Sequence, residues 1–267
     1  MIQEFLKYQY TNKGLSSATV KTYADDLKDF VKFATVHHLK WSTITTSEIE
    51  NYVEDLVQRE YAAATIKKRI EVLRLLFSYQ QHLELREDNP AWFTETPKQR
   101  DKMRKCADET TIKKYLETES TTRESYIIHA IIALIYDTGM RIGEIEQLRG
   151  EDIDTAKQRI KVSGKGGKER YVYYSSMAKE YCERLSKLAG CGNIFRQGQQ
   201  YYRFAMYREL PGVNPHSIRH LFATRQLNAG MPLKAVSELL GHMSVTTTEI
   251  YAKMANKQVE QLYFKFN

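Results

Sequence analysis

Apolar residues return every three or four positions through most of this chain, and only once does that rhythm give way to short alternating stretches. The first pattern specifies helices with one buried face, the second a few brief strands. From Ser16 or Ser17, either able to cap a helix, a run to Thr35 sets Val20, Tyr23, Leu27, Phe30, Val31 and Ala34 at helical intervals. Ser47 opens a second run with Ile49, Tyr52, Val53 and Leu56. Residues 62–82 hold a third with Ile66, Ile70, Leu73, Leu76 and Phe77, and the first ten residues add a short helix. Four helices of this size predict a compact bundle over residues 1–88.

Residues 89–106 break the pattern with two prolines and a basic run, which reads as an interdomain linker. Helices resume in residues 107–267. Residues 109–117 are short, and residues 123–137 are apolar enough (Ile127, Ile128, Ile131, Ile132, Leu134, Ile135) to be the buried central helix. Gly139 stops it, and residues 141–148 start another. Residues 152–154, 159–162 and 170–174 then read as three strands, followed by helices over 177–189 and 199–209. The expected fold is mainly α with a small antiparallel three-stranded sheet: an N-terminal helical bundle, then a mixed α+β domain ending in a tail helix.

No apolar run approaches the roughly 18 residues of a membrane span, and MIQEFLKYQY lacks the basic and apolar regions of a signal peptide. Cys106, Cys182 and Cys191 are odd in number and without a C-x-x-C spacing. They point to a reducing, cytoplasmic setting rather than a disulfide framework. The net charge of +7 is unevenly placed: residues 1–90 carry 12 Lys and Arg against 13 Asp and Glu, the remainder 28 against 20. A polyanion such as DNA suits that second part better than a membrane does. In the first part Lys13, Lys21, Lys67, Lys68, Arg69 and Arg74 could share a basic face, or belong to an ordinary solvated surface.

The chemistry-bearing residues concentrate in NPHSIRHLFATRQLNAGMPLKAVSELLGHMSVTTTEIY, residues 214–251. Asn214 can cap a helix whose first turn accepts Pro215. His216 and Arg219 then stand three apart, close to N–H groups that favour an anion. Gly241-His242 ends a second short helix, and Tyr251 lies nine residues later in a third. Upstream, TGMRIGEIEQL places Arg141 just after a glycine stop with Glu144 one turn on, either a phosphate-binding fork held by a carboxylate or a surface ion pair. SGKGGKE sets Lys165 on a glycine-rich hairpin tip without P-loop spacing. His216 and His220 have the i, i+4 spacing of a zinc helix, but Ser217 stands where H-E-x-x-H needs Glu, so no metal is expected and His220 reads as a packing residue.

Together these motifs resemble the tyrosine recombinases of the phage integrase family, Xer-type and simple two-domain integrases included, over essentially the whole chain. TGMRIGEIEQL matches the family's first arginine motif at Arg141, and GKGGKER its β-hairpin lysine at Lys165, 24 residues on. PHSIRHLFAT matches the His-x-x-Arg box at His216 and Arg219, LLGH gives His242, and TTTEIYAKM gives the nucleophile Tyr251. The resemblance implies a SAM-like core-binding domain over 1–88, a linker over 89–106 and a catalytic domain over 107–267. It also implies a 3′-phosphotyrosyl intermediate, double-stranded recombination sites as substrate, a tetramer on DNA from free monomers or weak dimers, and no metal, ATP or other cofactor. Val259, Leu262, Tyr263 and Phe266 form a helical stripe in the tail, suited to its own domain or to a neighbouring protomer, with the neighbour favoured. Two rivals remain. Residues 232–241 followed by 244–253 have the length and turn of a helix-turn-helix regulator, and a type IB topoisomerase would share the chemistry without strand exchange.

Overall fold

A computed structural model describes residues 1–98, 106–164, 169–188, 190 and 192–241. The chain forms two compact units, Met1–Lys102 and Met103–Asn267. Among the described residues no helix is long and apolar enough to cross a membrane.

Among the described residues the first unit holds four helices, α1 (Ile2–Thr11), α2 (Ser17–Val36), α3 (Thr46–Gln58) and α4 (Ala63–His82). Ser16 caps α2 by accepting from the Thr19 N–H. The second start lies a little before Ser47: Thr45 caps α3 and Glu48 reaches back to the Thr45 N–H at 2.7 Å, a reciprocal pair that satisfies two orphan donors at once. Phe5, Phe30, Ile49, Tyr52, Leu56, Ile70, Leu76 and Phe77 are fully enclosed, as their spacing requires. The six-residue basic face does not form as a whole, because its arginines work inward. Arg69 pairs with Asp29 at 2.9 Å, while Arg74 donates to the carbonyls of Ala91 (2.9 Å) and Thr94 (2.8 Å). With Asn89 donating to the Arg74 carbonyl at 2.9 Å, these bonds fasten residues 89–94 onto α4. The helical unit therefore continues past residue 88 into the stretch that read as linker, with Ala91 and Thr94 buried.

The second unit is built round α6 (Arg123–Thr138), in which every residue from Ile128 onward is buried. It packs against α5 (Glu109–Leu116), α8 (Ser176–Ser186) and α10 (Pro215–Asn228). The sheet is β1 (Ile153–Asp154), β2 (Arg159–Ser163) and β3 (Glu169–Tyr173), antiparallel in that order. Ile160 faces Ile153 on one side and Val172 on the other, and Val162 faces Arg170. Side chains alternate across a strand, so Arg170 shares the inward face with Val172. Among the described residues the unit also holds three further α-helices: α7 (Ile142–Glu146), α9 (Gln199–Glu209) and α11 (Leu233–Leu240). Phe222, Ala223 and Leu227 of α10 bury an apolar seam against Val236 and Leu240 of α11. That seam sets where the end of α11 lies.

Candidate active site

An α-helix leaves its last carbonyls without intrahelical partners, and its dipole makes that end negative. At α11 these carbonyls are taken by three arginines from three other elements. Arg170 of β3 donates Nε to the Leu239 carbonyl at 2.8 Å. Arg141, at the start of α7, donates Nη1 to Leu240 at 3.0 Å and Nη2 to Gly241 at 3.1 Å. Arg219 of α10 donates Nη2 to Leu240 and Nη1 to Gly139, both at 2.6 Å. The Leu240 oxygen thus accepts from both guanidiniums, bringing side chains 78 positions apart in the chain to one atom.

Two glycines make this convergence possible. Gly139 ends α6 at φ 67°, and a Cβ there would come within 2.4 Å of the Phe222 ring. Gly241 ends α11 at φ 62°, and a Cβ there would lie 2.9 Å from the Arg170 guanidinium. Both positions need a left-handed backbone as well as space.

Arg141 is held from its other side by Glu144, whose carboxylate accepts the Arg141 backbone N–H at 2.8 Å and Nη1 at 2.9 Å. Arg170 completes the carboxylate with Nη1 and Nη2, both at 2.9 Å. Burial alone would raise the Glu144 pKa; hydrogen bonds from Arg170 and from the Arg141 backbone, with the charges of both arginines, outweigh it and hold the carboxyl below its ordinary value. Arg141 remains 38% exposed and Arg219 is buried, so one fork is open to solvent and the other is sunk in the fold. His216 is exposed on the first turn of α10, a helix that Asn214 caps by accepting the Ser217 N–H at 2.9 Å. His220 is buried, in keeping with a packing histidine. Lys165, His242, Tyr251 and the tail stripe lie outside the described residues.

A family model described as the phage integrase family matches residues 105–258, more than half of the chain. The chain belongs to the phage integrase family. Its members are the tyrosine recombinases, enzymes that cleave and rejoin DNA in site-specific recombination. A second family model, described as the phage integrase N-terminal SAM-like domain, matches residues 2–82. The tyrosine recombinase XerC of Staphylococcus aureus is 29% identical, the match covering 98% of this chain and 95% of that protein. Among solved structures, the Tn1549 transposon integrase in complex with transposon right end DNA has a TM-score of 0.75 at 17% identity, covering 98% of this chain and 99% of that one. A lambda integrase dimer bound to a COC' core site has a TM-score of 0.71 at 21% identity, covering 94% of this chain and 75% of the other. These two likenesses speak to the fold.

Within this phage integrase family fold, sequence reasoning missed two residues. Arg170 passed as an unremarked member of GKGGKER, although a charge on the inward face of a strand demands a buried partner. Asp137, late in α6, accepts the Ser175 N–H (2.6 Å), the Ser175 hydroxyl (2.7 Å) and the Ala178 N–H (3.2 Å), and so caps α8 from another helix. Such a cap between elements leaves no local signal. Cys182 is enclosed and its thiol is pushed up to about 12 by burial, which leaves it unreactive at neutral pH.

Proposed function

We propose that this recombinase uses Tyr251 as its nucleophile on a DNA phosphodiester, with Arg141, Lys165, His216, Arg219 and His242 serving the same phosphorus. The phenolic oxygen forms a bond to phosphorus and the bond to the 5′ oxygen breaks, leaving a 3′-phosphotyrosyl link and a 5′-hydroxyl. His216 takes the phenol proton, Lys165 supplies one to the departing 5′ oxygen, and His242 donates to a phosphate oxygen. Arg141 and Arg219 meet the charge that grows on the non-bridging oxygens. The ester is conserved in the protein link, so a 5′-hydroxyl from another strand reseals it without ATP, and the chemistry calls for no metal ion. In this reading the helical unit clasps duplex DNA while the second unit carries the reaction, four copies assemble on paired sites, and the protein works in the cytoplasm.

The observation that carries the reading is the meeting of Arg141 and Arg219 on the Leu240 carbonyl. That atom lies two residues before His242 and eleven before Tyr251. The test is covalent capture from a pool of nicked duplexes of random sequence, with the captured DNA sequenced and the adduct mapped by peptide. Adduct on Tyr251 is expected, and Tyr251→Phe should bind the same duplexes without capture. An adduct on any other residue would reject the assignment. Strand exchange between two captured sites, against mere relaxation of a supercoiled plasmid, separates a recombinase from a topoisomerase-like enzyme.

A further inference from the structure

Arg170 has no part in the reaction just described, yet it touches everything that fixes Arg141. Its two terminal nitrogens occupy half of the four donor contacts on Glu144, and its Nε holds the Leu239 carbonyl. The other two contacts on Glu144 come from Arg141. The next two carbonyls of α11, Leu240 and Gly241, are the ones that receive Arg141. We propose that Arg170 is a positioning residue for strand cleavage, holding the Glu144 carboxylate and the end of α11 so that Arg141 presents its guanidinium to the scissile phosphate. This rests on the recombinase reading above.

Three features support the role. Glu144 is only 9% exposed, too enclosed for a carboxylate to stand with one partial partner. Without the Arg170 fork, Arg141 is the remaining cation on that carboxylate, and its own fork must turn further toward Glu144 to satisfy it. A lysine cannot substitute, since a single ammonium does not span both carboxylate oxygens and the Leu239 carbonyl together. Gly241, finally, leaves the guanidinium a space that a Cβ would take. Arg170 also stands five residues beyond Lys165, so β3 is tied by this one side chain to α7 and α11.

The experiment is single-turnover cleavage of a captured nicked duplex by the full-length protein and its Arg170→Lys variant. A misplaced Arg141 predicts a cleavage rate lower by about 100-fold, with duplex affinity within about two-fold of the parent. A neutral methylphosphonate at the scissile position removes the charge that Arg141 meets. On that substrate the two proteins should differ by no more than about three-fold, because the function being lost is no longer needed. A deficit of equal size on both substrates, or no deficit on the phosphodiester, would overturn the proposal. Should Arg170→Lys fail to fold, two further variants decide it: Glu144→Gln alone, and Glu144→Gln combined with Arg170→Gln. Once Glu144→Gln has removed the carboxylate, what Arg170 still holds is the end of α11. Its added loss should therefore cost more on the phosphodiester than on the methylphosphonate, and an equal added effect on both substrates would show that it acts elsewhere. Failure of the unaltered protein to form any adduct would instead count against the recombinase reading.

Discussion

A guanidinium that is to meet a phosphate works best when its orientation is settled in advance, since a side chain that must first be ordered spends binding energy on its own entropy. Arg141 meets this condition through Glu144 on one side and the α11 carbonyls on the other. Arg141→Lys keeps the charge but loses the fork, and covalent capture should fall by about 100- to 1,000-fold with little change in duplex binding. A drop in affinity as large as the drop in rate would mean that Arg141 serves binding alone. Glu144 gives a second prediction at this scale. Its pKa is depressed in the fold, so it adds stability above the ordinary carboxylate value of about 4.3 and loses it as pH falls through that value toward the folded one. Urea midpoints measured from about pH 5.5 to about pH 3 should fall more steeply for the parent than for Glu144→Gln. Parallel curves would show that the arginines do not favour the ionised form. The pair Arg141–Glu144 was legible as a possibility from its i, i+3 spacing, but spacing could not distinguish an idle surface pair from one closed by Arg170 out of a distant strand.

Between elements, the decisive contacts are ends meeting ends: the stop of α6 and the stop of α11 both supply carbonyls to Arg219. Gly139→Ala adds a methyl group where φ is 67° and the Phe222 ring is already in the way. The expected loss is about 2–4 kcal/mol, combining left-handed strain with overpacking, and equilibrium urea unfolding would read it. Asn214→Ala removes the cap of α10 and should cost about 1 kcal/mol. An unchanged midpoint in either variant would show that these termini are not under the constraint described. Most helices were readable because each carries its own stripe and cap, Ser16 and Asn214 among them. The strands were harder to bound: β1 is two residues long, and its pairing with β2 decides its limits more than its own pattern does. Asp137 capping α8 illustrates what local reading cannot reach, because donor and acceptor lie 38 positions apart.

For the molecule as a whole, the excess of positive charge beyond residue 90 should govern how it meets DNA. A recombinase contacting about six to ten phosphates should lose roughly 10³- to 10⁵-fold in duplex affinity between about 50 and 200 mM salt. A flat salt response would remove the polyanion argument. Deleting residues 256–267 should weaken assembly on paired sites more than affinity for one site, measured by native gel and by titration; equal losses would place the tail stripe on its own domain. From the sequence alone came the helical character of most of the chain, the small sheet, and the family motifs that name Arg141, Lys165, His216, Arg219, His242 and Tyr251. These are local properties, carried by periodicity, caps and short spacings that need no knowledge of what lies opposite. Tertiary structure alone decided that Arg69 and Arg74 turn inward, that Arg170 completes Glu144, and that Arg141 and Arg219 meet on the Leu240 oxygen. Each of those outcomes is the pairing of a polar group with a partner far along the chain. Such pairings are selected by the cost of leaving a buried charge or carbonyl unsatisfied, and that cost arises only once packing has excluded water.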